Sequence, residues 1–226
     1  LSGESTVNVM TVAVLGGTGK EGSGLALRWA RSGYRVVIGS REAERAAAKA
    51  DELNEQLGDS VIVGTSNVDA AAQADLVVLS VPYAAHQAIL ESVKDAVQGK
   101  ILVDVTVPLL PPNIRTVNVP EGKAAVLEAQ ALLGEGVRVV AAFQNISFNH
   151  LKNLEHAIDS DVLVCGDDAD AKQEVARLVE AIDGMRAIDA GPLANAVAAE
   201  ALTPVLMYIN KRYKSPGAGI RITGLG

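Results

Sequence analysis

Short, almost wholly apolar runs rich in β-branched side chains recur along the chain at residues 11–15, 35–38, 61–63, 76–79 and 101–103. Runs of this kind have no polar face, as expected of strands covered by helices on both sides of their sheet. Between them, at 21–31, 42–57 and 84–97, alanine and leucine recur at helical spacing with charges opposite, and Gly33, Gly58 and Gly99 stand where those helices should stop. This alternation predicts a doubly wound α/β fold with a mainly parallel sheet. The rhythm loosens across 104–122, where Pro108, Pro111, Pro112 and Pro120 bar regular helix and central strand and predict a long loop at a sheet edge. Strands resume at 137–141 and 161–164 and helices at 169–182 and 193–213, which predicts a smaller C-terminal unit packed on the first, with the division at 1–150 and 151–226.

The first strand runs straight into Gly16-Gly17-Thr18-Gly19-Lys20-Glu21-Gly22 and then into a helix, so Gly17, Gly19 and Gly22 carry the G-x-G-x-x-G spacing. Such a loop turns tightly, brings backbone close to a pyrophosphate and aims the N–H groups and positive dipole end of the helix at it. The pattern points to a Rossmann-type dinucleotide site, with Lys20 adding positive charge. At the end of the second strand, where an NAD site would place an acid on the ribose, the chain has Gly39-Ser40-Arg41. Ser40 can donate to a 2′-phosphate, Arg41 can pair with it bidentately, and Arg45 can reach it from one helical turn on. NADP is therefore expected rather than NAD. The competing account makes Arg41 and Arg45 surface partners of Glu42 and Glu44.

Composition narrows the rest. The 226 residues are 49% hydrophobic with a formal net charge of −7 and no lysine-rich run, so no nucleic-acid footprint is expected. The single cysteine, Cys165, leaves no disulfide framework or multi-cysteine metal site and fits a reducing compartment, so a cytoplasmic protein is expected. No apolar run is long enough to span a bilayer, and residues 1–10 lack an export pattern, so a soluble protein without membrane partners is expected. The chain begins at Leu1 rather than at a methionine, and further residues upstream are expected.

No dehydrogenase acid–base set is visible, and no residue is singled out as catalytic. His86, His150 and His156 show no metal-ligand spacing, and no metal site is expected. His86 could approach a cofactor from the start of its helix, although a capping or surface role is expected, and Cys165 reads as a buried small hydrophobe. Hydride exchange between two heterocyclic carriers needs aligned rings more than a general acid, which suggests transfer between carriers. Ser80-Val81-Pro82-Tyr83, Thr106-Val107-Pro108 and Phe143-Gln144-Asn145-Ile146-Ser147 lie at carboxyl ends of strands, where open α/β sheets bind ligands. The apolar stretch 196–209 reads either as a dimer helix or as a buried core helix.

Over residues 11–222 the chain closely resembles the NADPH-dependent reductases of the 8-hydroxy-5-deazaflavin coenzyme F420. The resemblance rests on Leu15-Gly16-Gly17-Thr18-Gly19, Gly24-Leu25-Ala26-Leu27-Arg28 and Gly39-Ser40-Arg41. More telling are Val164-Cys165-Gly166-Asp167-Asp168, Asp189-Ala190-Gly191-Pro192-Leu193 and Leu202-Thr203-Pro204. It implies hydride transfer between NADP(H) and coenzyme F420, a C-terminal unit that closes over the two rings, and a homodimer. It implies further that Thr18, Gly19, Lys20 and Glu21 hold the pyrophosphate and that Ser40, Arg41 and Arg45 hold the 2′-phosphate. Val81, Pro82 and Ile146 would then border the nicotinamide, and Ala218, between Gly217 and Gly219, would lie near the deazaflavin. Two positions depart from the family pattern: Glu42 stands where a second arginine can follow Arg41, and Gln144-Asn145 stand where a histidine-threonine pair can occur. Other acceptors on the same fold, such as a flavin, a metal chelate or a small imine, and a non-catalytic NADP-sensing module are the competing functions.

Overall fold

Adjacent residues of the first strand, β1 (Thr11–Leu15), are buried on opposite sides: Val12 and Val14 in one hydrophobic cluster, Ala13 and Leu15 in another. Two apolar faces on one strand require a cover on each, and the helices supply it. The computed structural model describes residues 9–225, so most of the leading segment 1–10 lies outside it. The chain continues as α1 (Lys20–Arg31), β2 (Arg35–Ser40), α2 (Ala43–Leu57), β3 (Ile62–Ser66), α3 (Asn67–Gln73), β4 (Leu76–Leu79) and α4 (Tyr83–Val93). Next come β5 (Ile101–Asp104), α5 (Ala125–Leu133), β6 (Arg138–Ala141), α6 (Phe148–Leu151), β7 (Ser160–Gly166), α7 (Ala169–Glu180), β8 (Met185–Asp189) and, after a 3-10 turn at Leu193–Asn195, α8 (Ala196–Tyr213).

The strands form one sheet in the order β3-β2-β1-β4-β5-β6-β7-β8. The first six are parallel, β7 meets β6 antiparallel through only Val140↔Gly166 and Ala141↔Cys165, and β8 runs parallel to β7. The chain reverses direction across the sheet between β1 and β4, and the crevice outside the carboxyl ends of those strands is where such sheets bind ligands. The doubly wound, mainly parallel fold is therefore as the hydrophobic pattern predicts. Gly33 and Gly58 take positive φ just past α1 and α2, and Gly58 is the left-handed cap of α2, whereas α4 stops at Val93, short of the expected 97, and Gly99 takes its positive φ in the turn that follows.

Four elements escape the pattern, the single turn of α6 among them. The seven-residue α3 is too short to show a period, and its start is set by the Ser66 hydroxyl accepting the Asp69 N–H at 3.1 Å. α5 is apolar nearly all round, and β8 is only partly covered. The proline-rich loop after β5 is correctly irregular but does not leave from a sheet edge: β5 lies between β4 and β6, and Leu109, Pro111, Ile114 and Arg115 share a cavity with the residues that follow those strands.

One buried cation ties the first helix to the turn and short helix beyond β6. The Arg28 guanidinium donates to the carbonyls of Leu151, His150, Asn153 and His156, satisfying a segment with little secondary structure of its own. Gly24 lets α1 approach that segment, since a Cβ there would come within 2.6 Å of the Leu151 Cβ.

Candidate active site

The glycine loop is shaped by close approaches on three sides. Gly16 has φ +74°, and a Cβ on it would lie 2.3 Å from the Ser80 carbonyl oxygen at the end of β4. On Gly17 a Cβ would press on Ile38 of β2 at 2.6 Å, and on Gly22 it would press on the Gly16 carbonyl at 2.9 Å. The Gly17 N–H donates to the Gly39 carbonyl at 3.1 Å, which joins the loop to the end of β2. Gly19 then caps α1 with no side-chain acceptor, so the positive end of a 12-residue helix opens beside the loop, with Lys20 exposed and Thr18 half-buried. Gly17 and Gly22 thus serve packing, while Gly19, Lys20 and Glu21 face the main cavity.

Ser40 is buried at the end of β2 and its hydroxyl accepts the Glu42 N–H at 3.3 Å. Arg41 is exposed and makes no ion pair among the described residues. Arg45 makes only a loose one, 3.9 Å from the Glu42 carboxylate with both side chains exposed. These three residues lie beside the glycine loop but outside the cavity lining.

From the start of α1 a cavity of about 820 Å³ extends along the carboxyl ends of β4, β5 and β6 to α8 and the tail beyond it. Of the residues expected at a site, it brings together Gly19, Lys20, Glu21, Val81, Pro82, Gln144, Asn145, Ile146 and Ala218. Its floor is apolar where β4 and β5 end, at Val81, Pro82, Val105 and Val107. Gln144 and Asn145 are buried, and their amide nitrogens donate at 2.7 Å to the carbonyls of Asp104 and Asp161, so each fixes the wall to a neighbouring strand. The turn carrying them starts at Phe143, which has φ +71°, is fully buried, and meets Trp29 edge-on at 5.6 Å. Lys20 and Lys152 sit over the Phe148 ring.

Ionisable groups around the cavity are tuned away from their ordinary values. Desolvation pushes the half-buried Glu21 carboxyl up to about 8. The Tyr83 hydroxyl, desolvated and donating to Glu128 at 2.9 Å, is pushed up to about 12, so its proton is firmly held. Behind the floor, His86 is neither a cap nor a surface residue: it is buried with its Nε2 2.6 Å from Asp104 Oδ2. Burial opposes its charge, but the hydrogen bond and field of Asp104 prevail, and its pKa is raised. Asp104 also accepts the Thr106 N–H at 2.9 Å, so one buried acid organises the turn after β5. Buried Glu200 accepts the N–H groups of Ala125 and Val126 and so seats α8 on the start of α5, burial pushing its carboxyl up to about 7. Thr203, one turn on, donates to the Gln144 carbonyl at 2.7 Å.

Apart from Glu21 and Tyr83, none of these groups belongs to a local motif; their sequence signals are acids in apolar surroundings, Asp104 ending one strand, Asp161 opening another, and Glu200 among alanines. Among the described residues no cluster of three or more His, Cys, Asp or Glu could hold a metal ion, and no helix is long and apolar enough to cross a membrane.

The family described as coenzyme F420-dependent NADP oxidoreductase matches residues 11–108. An F420-dependent NADP reductase of Methanothermobacter thermautotrophicus is 46% identical over 97% of this chain and 97% of its own. One of Methanocaldococcus jannaschii is 44% identical over 96% of this chain and 99% of its own. Among solved structures, a candidate F420-dependent NADP-reductase from Arthrobacter sp. FB24 superposes with a TM-score of 0.81 at 29% identity, covering 95% of this chain and 99% of that one.

Proposed function

The chain belongs to the F420-dependent NADP reductase family, and on that premise we propose that it transfers a hydride between NADP(H) and coenzyme F420 in the cavity beside α1. The observation that carries the reading is the cavity itself. It begins at an uncapped helix N-terminus, where a pyrophosphate fits, and continues over an apolar floor with room for two ring systems. The hydride passes from one ring to the other without a protein nucleophile. The chain contributes position and dryness: Val81, Pro82 and Ile146 border the nicotinamide, while Gln144 and Asn145, anchored to neighbouring strands, hold the opposite wall. Tyr83, whose proton Glu128 holds, acts as wall rather than as acid.

On the donor side, Thr18, Gly19 and Lys20 receive the pyrophosphate, and Glu21, neutral at pH 7, adds no opposing charge. Ser40 and Arg41 take the 2′-phosphate, with Arg45 released from its loose pair to assist. On the acceptor side, the unit 151–226 closes the cavity, with Ala218 against the deazaflavin. The enzyme acts as a homodimer, a role supported by Val205, Tyr208 and Tyr213 standing exposed on α8. Cys165, buried and pushed up to about 11, suits a reducing cytoplasm.

The test is direct. Mixed with NADPH and oxidised coenzyme F420, the protein should bleach the deazaflavin's visible absorption, and NADH or a flavin in place of either substrate should support much slower turnover. NADPH binding without bleaching would overturn the reading.

A further inference from the structure

Beyond α8, residues 215–222 form no helix or strand, yet most of them are fastened by hydrogen bonds. The Asn149 amide donates to the Pro216 carbonyl at 2.7 Å, His150 Nε2 lies 2.7 Å from the Gly217 carbonyl, and the Ala218 N–H donates to Asn210 Oδ1 at 2.6 Å. Ser215, Pro216 and Ala218 line the main cavity. Gly217 and Gly219 lie so tightly on the wall that a Cβ on either would come within 2.5–2.6 Å of His150 Nε2 or Ser160 Oγ.

Beyond the cavity the same stretch is latched to one acid. Asp161, near the start of β7, is completely buried. Arg186 of β8 binds its carboxylate through two nitrogens at 2.9 and 2.8 Å, Arg221 Nη1 donates to it at 2.8 Å, and the Ile222 N–H donates at 2.6 Å. Its backbone N–H donates to the Ile220 carbonyl at 2.8 Å. Arg221 also binds Asp159 and the Gly184 carbonyl, and Arg186 holds the Ile222 carbonyl. A buried carboxylate needs this many donors to offset its desolvation, and here two of them come from the tail itself. Arg221 is thus both the charge that compensates Asp161 and the point at which a cavity wall is tied down.

We infer that Arg221, held by Asp161, is a positioning residue for the acceptor: it fixes residues 215–222 as a strap whose backbone forms the acceptor side of the cavity, without itself touching the reacting rings. The inference rests on the hydride-transfer reading above. The strap is joined to α6 and to α8, whereas the dinucleotide end is built from the glycine loop and the end of β2. Loosening the latch should therefore weaken acceptor binding and spare the dinucleotide.

The experiment compares wild-type protein, Arg221→Ala and Arg221→Lys by steady-state kinetics with coenzyme F420, alongside NADPH titration in its absence. Arg221→Ala should raise the KM for F420 about tenfold with the NADPH Kd within about twofold of wild type, and Arg221→Lys should recover most of the loss. Hydrogen exchange across 215–222 should speed up in Arg221→Ala and return towards wild type in Arg221→Lys. If Arg221→Ala does not fold, a smaller rise in the F420 KM alone for Arg221→Lys is the expected result. Equal shifts in the F420 KM and the NADPH Kd, or no shift in either, would overturn the positioning role while leaving the function intact. Absence of F420 turnover by the wild-type protein would overturn the function and the positioning role together.

Discussion

The two ends of the cavity are built on different principles. The glycine-loop end comes from one contiguous stretch of chain, β1 through the start of α2, and works through backbone: positive φ at Gly16, missing side chains at Gly17 and Gly22, and the bare N-terminus of α1. The far end gathers the turns after β5 and β6, α8 and the tail, and works through buried side chains, with Asp104, Glu200 and Asp161 each tying two or more distant segments together. A phosphate asks for N–H groups and positive charge, which a local turn supplies cheaply. A flat apolar ring needs a slot of fixed width, and a slot needs walls held from behind.

The contrast can be broken most forcefully at His86. Replacing it with alanine strips buried Asp104 of its hydrogen-bonded partner and should cost about 3–5 kcal/mol of stability by denaturant unfolding. Because the folded His86 pKa is raised above 6.5, the pair's contribution is complete below that pH and fades as pH climbs through the raised value. Stability of the wild type should follow that slope, and the His86→Ala profile should lack it. A loss under about 1 kcal/mol would mean the far end is not held by this acid.

At the glycine end, Gly16→Ala combines an unfavourable φ with a Cβ 2.3 Å from the Ser80 oxygen and should cost about 2–3 kcal/mol. Calorimetry would read this as lowered thermal stability and fluorescence titration as lost NADPH affinity. Next in size, Arg41→Ala should raise the KM for NADPH at least about tenfold with little change for NADH. An equal effect on both would remove Arg41 from the 2′-phosphate. The smallest effect concerns Glu21, neutral at pH 7 and ionising near 8. As its charge appears beside the pyrophosphate, NADPH affinity should fall about threefold between pH 7 and 9, and Glu21→Gln should flatten that dependence.

The same contrast governs how much could be read from the chain beforehand. The glycine loop is legible because its geometry is local: a strand and a spaced set of glycines succeed one another within 12 residues, 11 to 22. Val81, Pro82 and Ile146 are legible because carboxyl ends of parallel strands face the crevice. Arg28, His86, Asp104 and Asp161 are not, because a buried ion's partners lie tens of residues away: Arg28 serves carbonyls from His150 to His156, and Asp161 is answered by Arg186 and Arg221. His86 is misread as a surface or capping group because four residues of helix after Pro82 say nothing about the acid on the next strand. The edge placement of the proline-rich loop fails for a related reason: prolines exclude regular structure without saying which strands a loop joins.

The antiparallel junction between β6 and β7 has a practical consequence. Because β7 runs against its neighbour, its opening residues Ser160 and Asp161 stand near the cavity, while its closing turn at Gly166, Asp167 and Asp168 is carried to the opposite rim, beside Gly134 and Arg138. None of the residues at that rim lines the main cavity. The rim is where a fluorophore, an affinity handle or a surface tether can be attached so that an immobilised enzyme keeps its mouth open to both substrates.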